Sequence, residues 1–282
     1  MAYEAQVSRD NPTCMLFLID QSGSMADTWG ATQGQTKDKG VATAINRMLH
    51  NLGLKCAKDE GIRYYFDVGV IYYKEPRGMG AQVGPAFDGT LSGRDLVPIV
   101  EVAESPLRVE ERVKEEVDDT GEIIKKKVKF PIWFEPMADG GTPMCAALRH
   151  AHEILENWLS NHQDSFPPIV INITDGEATD GNPLADGQRI MNLKTNDGNV
   201  LLYNIHISSR AGQVCFPAEE SELPRDQYAL MLFNMSSELP PKVLDQAKKD
   251  FSLRDGARGF VFNADMVDLI RFLDIGTRVD FR

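Results

Sequence analysis

Residues 18–25 read L-I-D-Q-S-G-S-M, which sets a carboxylate at Asp20 beside hydroxyls at Ser22 and Ser24. Gly23 lets the chain bend, so these side chains could converge on one hard cation. Hard cations take oxygen ligands, and magnesium in particular takes few carboxylates and keeps several waters. The competing use of either serine is to cap a helix. A second carboxylate, Asp175, follows the apolar run 168–173 in the sequence T-D-G, where Gly176 lets the loop turn. Asp175 alone could equally be a turn residue. Between the two lies Asp139-Gly140-Gly141-Thr142-Pro143, directly before an amphipathic stretch. Thr142 offers a further hydroxyl or an N-cap, and Pro143 suits a first helical turn.

The elements that must position these groups follow from periodicity. Residues 14–19 are continuously apolar, as expected of a strand buried on both faces of a parallel sheet. Asp20 then falls at the carboxyl end of that strand, where open α/β sheets place their ligands. Val41, Ile45, Met48, Leu49 and Leu52 recur at helical steps and predict a helix over 37–58. Strands are predicted over 62–73, 168–173, 199–207 and 258–262. Helices are predicted over 142–160, 184–193, 228–233, 242–251 and 266–273. Strands alternating with helices predict a doubly wound, mostly parallel α/β sheet with helices on both faces.

Taken in order, D-Q-S-G-S, G-G-T-P and T-D-G resemble the von Willebrand factor type A domain and its metal-ion-dependent adhesion site. The resemblance runs from about residue 13 to about residue 275, apart from one insertion, and implies a single Rossmann-like domain over 1–282. It implies that Ser22, Ser24 and Thr142 supply hydroxyl ligands and that Asp20 and Asp175 bind directly or through water. One divalent cation is implied, magnesium first, with manganese or calcium as alternatives. The implied function is protein binding, in which an Asp or Glu of a partner fills the cation's open position. Bacterial, stand-alone, intracellular members resemble components of kinase, phosphatase or AAA-ATPase-linked assemblies, and a partner from such a system is the expectation.

The insertion covers about 76–137. It opens with a glycine- and proline-rich loop over 76–93, and a strand is predicted over 96–102. A β-hairpin is predicted over about 107–134, turning at Thr120-Gly121. That register sets Leu107 opposite Phe134, Val109 opposite Ile132, Val113 opposite Val128 and Val117 opposite Ile124. It also sets Glu115 against Lys126 and Glu116 against Lys125, pairs that favour a hairpin. A four-residue loop over 118–121 with a bulge would shift the register by one. Valines 109, 113 and 117 also fit a helix, but the β-like arm 128–134, with Pro131 in it, favours the hairpin. The apolar row of the hairpin is expected to be covered by the domain or by a partner.

A net charge of −12 argues against nucleic acid or an anionic membrane as the main partner. No apolar run is long enough to span a bilayer, and the first ten residues hold no secretory pattern. Cys14, Cys56, Cys145 and Cys215 show neither zinc nor redox spacing, so buried free thiols and a cytoplasmic location are expected. His150 and His152 stand two residues apart and cannot share a helical face. An alternative reading is a magnesium-dependent phosphohydrolase with Asp20 as nucleophile. That chemistry wants a second acid two residues on, where Ser22 stands. There is also no G-x-S-x-G elbow around either serine, no G-x-x-x-x-G-K-[ST] loop and no evident general base. The chain is therefore expected not to be an enzyme. A scaffold whose metal only pins loops is the third reading.

Overall fold

The computed structural model describes residues 2–29, 35–117, 123–249 and 251–276. The first strand, β1 (Thr13–Asp20), is buried at every position, which is why its sequence shows no polar alternation. It leads into α1 (Lys37–Cys56) and then β2 (Phe66–Lys74). The insertion supplies β3 (Gln82–Pro85), β4 (Val97–Pro98), α2 (Ile99–Glu104) and a hairpin of β5 (Arg108–Val117) and β6 (Ile123–Ile132). The chain resumes with α3 (Met144–Leu159), β7 (Ile169–Thr174), α4 (Leu184–Asn192) and β8 (Leu201–Ile207). It continues through β9 (Val214–Cys215), α5 (Gln227–Asn234), α6 (Pro241–Ala247), β10 (Phe260–Ala264) and α7 (Met266–Gly276).

The main sheet runs β9-β10-β8-β7-β1-β2-β3, with β4 also paired to β2. All neighbours from β10 through β2 are parallel, and β3, β4 and β9 add antiparallel edges. The fold is thus the doubly wound α/β sheet expected. From β1 the chain moves outward to β2 on one side and later resumes at β7 on the other. The order therefore reverses between β1 and β7, the kind of crevice where such sheets bind ligands.

Alternating residues of β1 feed two cores. Met15, Phe17 and Ile19 pack with α1, α2, α6 and α7, while Cys14, Leu16 and Leu18 pack with α3, α4 and α5. A chain of buried polar groups crosses the second core. Tyr73 donates to Asn172 Oδ1 (2.9 Å), Asn172 donates to Asn204 Oδ1 (3.0 Å), and Asn204 donates to Ser236 Oγ (3.0 Å). Each buried amide is satisfied, so the chain ties β2, β7 and β8 together laterally without leaving an orphan group. All four cysteines are free, and Cys14, Cys56 and Cys145 are buried.

The insertion departs from its sequence reading in three ways. The strand expected over 96–102 is only β4, after which α2 begins with Pro98 as its N-cap. Ile99 and Val102, one turn apart, then bury in the same core as α1. The loop expected over 76–93 contains β3. The hairpin exists, but its register is one residue away from that expected. Val109 faces Pro131, Arg112 faces Val128, Val113 faces Lys127 and Glu115 faces Lys125. The shift arises because Val117 pairs with Ile123, leaving an odd-numbered connection; the expected turn at Thr120-Gly121 lies outside the described residues. One slip exchanges faces. Arg108, Glu110, Arg112 and Ile132 now share a cleft with Lys39, Ala42 and Thr43 of α1, and the Arg112 guanidinium lies 3.6 Å from the Phe130 ring centre. Val109 and Val113 lie on the other face, exposed, so the expected apolar row is split and left partly uncovered.

Asn46 of α1 pins the hairpin's exit. Its Oδ1 accepts from Trp133 N (2.8 Å) and its Nδ2 donates to Phe134 O (3.2 Å). Trp133 and Phe134 are both buried. This anchor fixes where the chain re-enters toward Gly140 and Thr142.

Candidate metal centre

Asp20 ends β1 fully buried, and its two carboxylate oxygens are both engaged. Oδ1 accepts from Ser22 N (2.8 Å), and Oδ2 accepts from the Thr174 hydroxyl at the end of β7 (2.7 Å). Among the described residues Asp20 forms no ion pair. Burial pushes its carboxyl up from 3.8 to about 6, against the downward pull of the Ser22 and Thr174 hydrogen bonds. A 3-10 turn, Gly23–Ala26, follows, and Ser22 at its N-cap makes no side-chain capping bond. The Ser22 and Ser24 hydroxyls instead lie 3.1 Å apart, and Ser24 donates to Asp175 Oδ1 (2.7 Å).

The loop before α3 is stitched to both neighbours. Gly23 N donates to Gly140 O (2.8 Å) and Asp139 N to Gln21 O (2.7 Å). Glu75, just beyond β2, exchanges backbone bonds with Gly141 at 2.9 and 3.0 Å. Gly140 has φ of +76°, and a Cβ there would stand 1.9 Å from Glu75 O, so only glycine fits. On the other side Thr142 N donates to Thr179 Oγ1 (3.0 Å), and Thr142 O accepts from Thr179 N (2.9 Å). A Cβ placed on Gly176 would be 3.8 Å from Thr142 Oγ1, which locates that hydroxyl beside the Asp175 loop.

Thr142 does not cap α3. Pro143 occupies the N-cap position, and the first amides are taken by Asp180, whose Oδ1 and Oδ2 accept from Cys145 N (3.0 Å) and Ala146 N (2.8 Å). Pro143 thus sits just before the helix rather than in its first turn. Nor is Asp175 merely a turn residue, because its side chain is completely covered and bonds Ser24 and Lys37. The turn is made by Thr174, whose Oγ1 accepts from Gly176 N (3.3 Å).

All five residues singled out from the sequence therefore lie on three loops joined at the carboxyl ends of β1 and β7. Sequence reasoning missed Lys37, the first residue of α1, whose Nζ donates to Asp175 Oδ2 (2.7 Å) and Ser24 O (3.4 Å). It also missed Thr174, Thr179, Glu75 and Asp180, which hold the loops. The only available signal for Lys37 was a cation at a helix N-terminus, where the dipole disfavours it. Beneath the loops Tyr228 donates its hydroxyl to Gly176 O, and His206 accepts from Asn263 N (3.3 Å). Burial pushes His206 down to about 4, so it stays neutral.

Among the described residues no three His, Cys, Asp or Glu side chains cluster as a metal site. The donor set here is three hydroxyls and two carboxylates, entirely oxygen, with both carboxylates buried and one of them, Asp20, forming no ion pair among the described residues. That chemistry fits a hard divalent cation.

No protein-family pattern matches the chain, and no curated protein matches it. Solved structures similar to it include the three N-terminal domains of the type V pili tip protein Mfa5 from Porphyromonas gingivalis (14% identity, TM-score 0.31), matched over 60% of this chain and 20% of that one. The vWF domain of the same protein, solved separately, is similar at 14% identity and a TM-score of 0.30, over 60% of this chain and 39% of that one. The matches thus span well under half the length of either neighbour. Among the described residues, no helix is long and apolar enough to cross a membrane.

Proposed function

We propose that this chain is a metal-dependent protein-binding module resembling the von Willebrand factor type A domain. Ser22, Ser24 and Thr142 would hold one divalent cation with Asp20 and Asp175, magnesium being the first choice. When bound, the cation supplies an electrophilic position that an Asp or Glu of a partner protein can fill. Thr174 and the Ser22 amide orient Asp20 for this, and Asp180 relieves Thr142 of capping α3. The observation that carries the reading is that the Ser22 and Thr142 side chains do no helix capping, although both stand at helix starts. Ser22 instead turns toward Asp20 and Ser24, Ser24 bonds Asp175, and the Thr142 hydroxyl lies beside the Asp175 loop, all at the reversal point of the sheet. The reading is of a binder and not a catalyst, since Ser22 stands where a phosphohydrolase would carry its acid.

The test is capture of partners from the cell of origin on the purified protein, with magnesium, with chelator, and with Thr142→Ala. Partners retained only by wild type with magnesium support the reading. Identical capture in all three would reject a metal-bridged contact, and release of phosphate from p-nitrophenyl phosphate by wild type but not Asp20→Ala would favour the hydrolase.

A further inference from the structure

Lys37 is an unexpected occupant of this centre. It is the first residue of α1, where the positive end of the helix dipole makes a second positive charge unfavourable. A lysine there would ordinarily extend into water. Its side chain is instead only 11% exposed and reaches Asp175, whose side chain is 0% exposed. Asp175 is left with both oxygens committed, Oδ1 to the Ser24 hydroxyl and Oδ2 to the Lys37 ammonium. The same ammonium stands 3.7 Å from Asp27 Oδ2, a carboxylate 72% exposed at the rim.

Building on the metal-centre reading above, we propose that Lys37 is a built-in competitor of the divalent cation. A cation served by Asp175 shares that ligand with the ammonium, and like charges that close repel strongly where water is excluded. Loading therefore requires Lys37 to leave Asp175. Asp27 is the partner it turns to, because a modest swing of a flexible four-carbon stem exchanges one carboxylate for the other. The ammonium sets the concentration at which the centre loads, and loading moves its positive charge out to the exposed Asp27 at the rim, where an acidic partner would arrive.

Two measurements test this. The first is magnesium affinity by calorimetry for wild type, Lys37→Met and Lys37→Arg. Lys37→Met keeps the apolar stem and removes the charge, so it should bind magnesium at least about tenfold tighter, while Lys37→Arg stays within about threefold of wild type. The second is read on wild type, so its result does not depend on a Lys37 variant folding. Acetylation of Lys37 by acetic anhydride, followed by mass spectrometry, should quicken when magnesium is added, with Asp20→Ala as the control that shows no change. Magnesium binding to wild type with equal or weaker binding to Lys37→Met, or Lys37 acetylation that magnesium leaves unchanged, overturns the competition and leaves the metal centre standing. Absence of magnesium binding in both wild type and Lys37→Met overturns the metal centre and this proposal together.

Discussion

Asp20 is buried and forms no ion pair among the described residues, and its environment makes a prediction that needs no cation. A carboxyl raised from 3.8 to about 6 in the folded state contributes stability that is full below its unfolded value and is lost as pH rises through 6. Its ionisation at neutral pH therefore costs the folded protein on the order of 3 kcal/mol in chelator. Asp20→Asn keeps a carbonyl to accept from Ser22 N and places an amide that can donate to the Thr174 hydroxyl, which is then free to donate to Gly176 O, but it cannot ionise. In chelator the variant should melt above wild type at pH 7.5, and the gap should close by pH 4. His206 has the opposite slope, losing stability as pH falls toward 4, but it is common to both proteins and cancels in the difference. Melting curves across this range check the claim, and a gap independent of pH would place the carboxylate outside the buried setting described. At this scale Asp20, Ser22, Ser24, Thr142 and Asp175 were legible because each stands beside a local signal, an apolar run or a glycine turn. Lys37 was not, because its partner Asp175 is 138 residues away and a lysine opening a helix reads as solvated.

Among the elements, β1 and β7 were the easiest to see. Burial on both faces makes β1 a continuous apolar run and β7 an apolar run broken only by Asn172, each stopped by a polar residue that marks the strand end. The start of α3 was harder, since its cap comes from Asp180 on another loop and not from the adjacent Thr142. Asp180→Ala should cost about 1 kcal/mol in urea denaturation, the ordinary worth of a lost N-cap. No loss would mean that the α3 amides find other acceptors. The register of the hairpin was the least legible feature. Charged residues occupy both faces of both arms, so the side-chain pattern does not single out one register, and the odd connection decides between them. The anchor of the hairpin is Asn46 against Trp133 and Phe134, not its outer arms. If the proposed centre binds magnesium, replacing residues 110–130 with a short glycine link should leave that affinity within about threefold, since the candidate loops are tied to β1, β2 and β7. Loss of magnesium binding in a folded deletion variant would make the hairpin part of the centre.

Over the whole molecule, the cores and the candidate site sit in different places. Two apolar cores on either face of the sheet carry the fold, while the candidate ligands collect at one end, where β1 and β7 diverge to opposite flanks. On the reading proposed above, a net charge of −12 disfavours an acidic partner at long range, and a bound cation would supply the local positive centre that attracts it. The central claim is that three hydroxyls and two carboxylates hold one such ion. Manganese is the most direct probe, because its anomalous scattering locates it without assumption about the ligands. A crystal grown in manganese should show a single strong peak enclosed by Asp20, Ser22, Ser24, Thr142 and Asp175. The same crystals with no peak there while manganese appears elsewhere, or with the three loops ordered and no manganese bound at all, would contradict it.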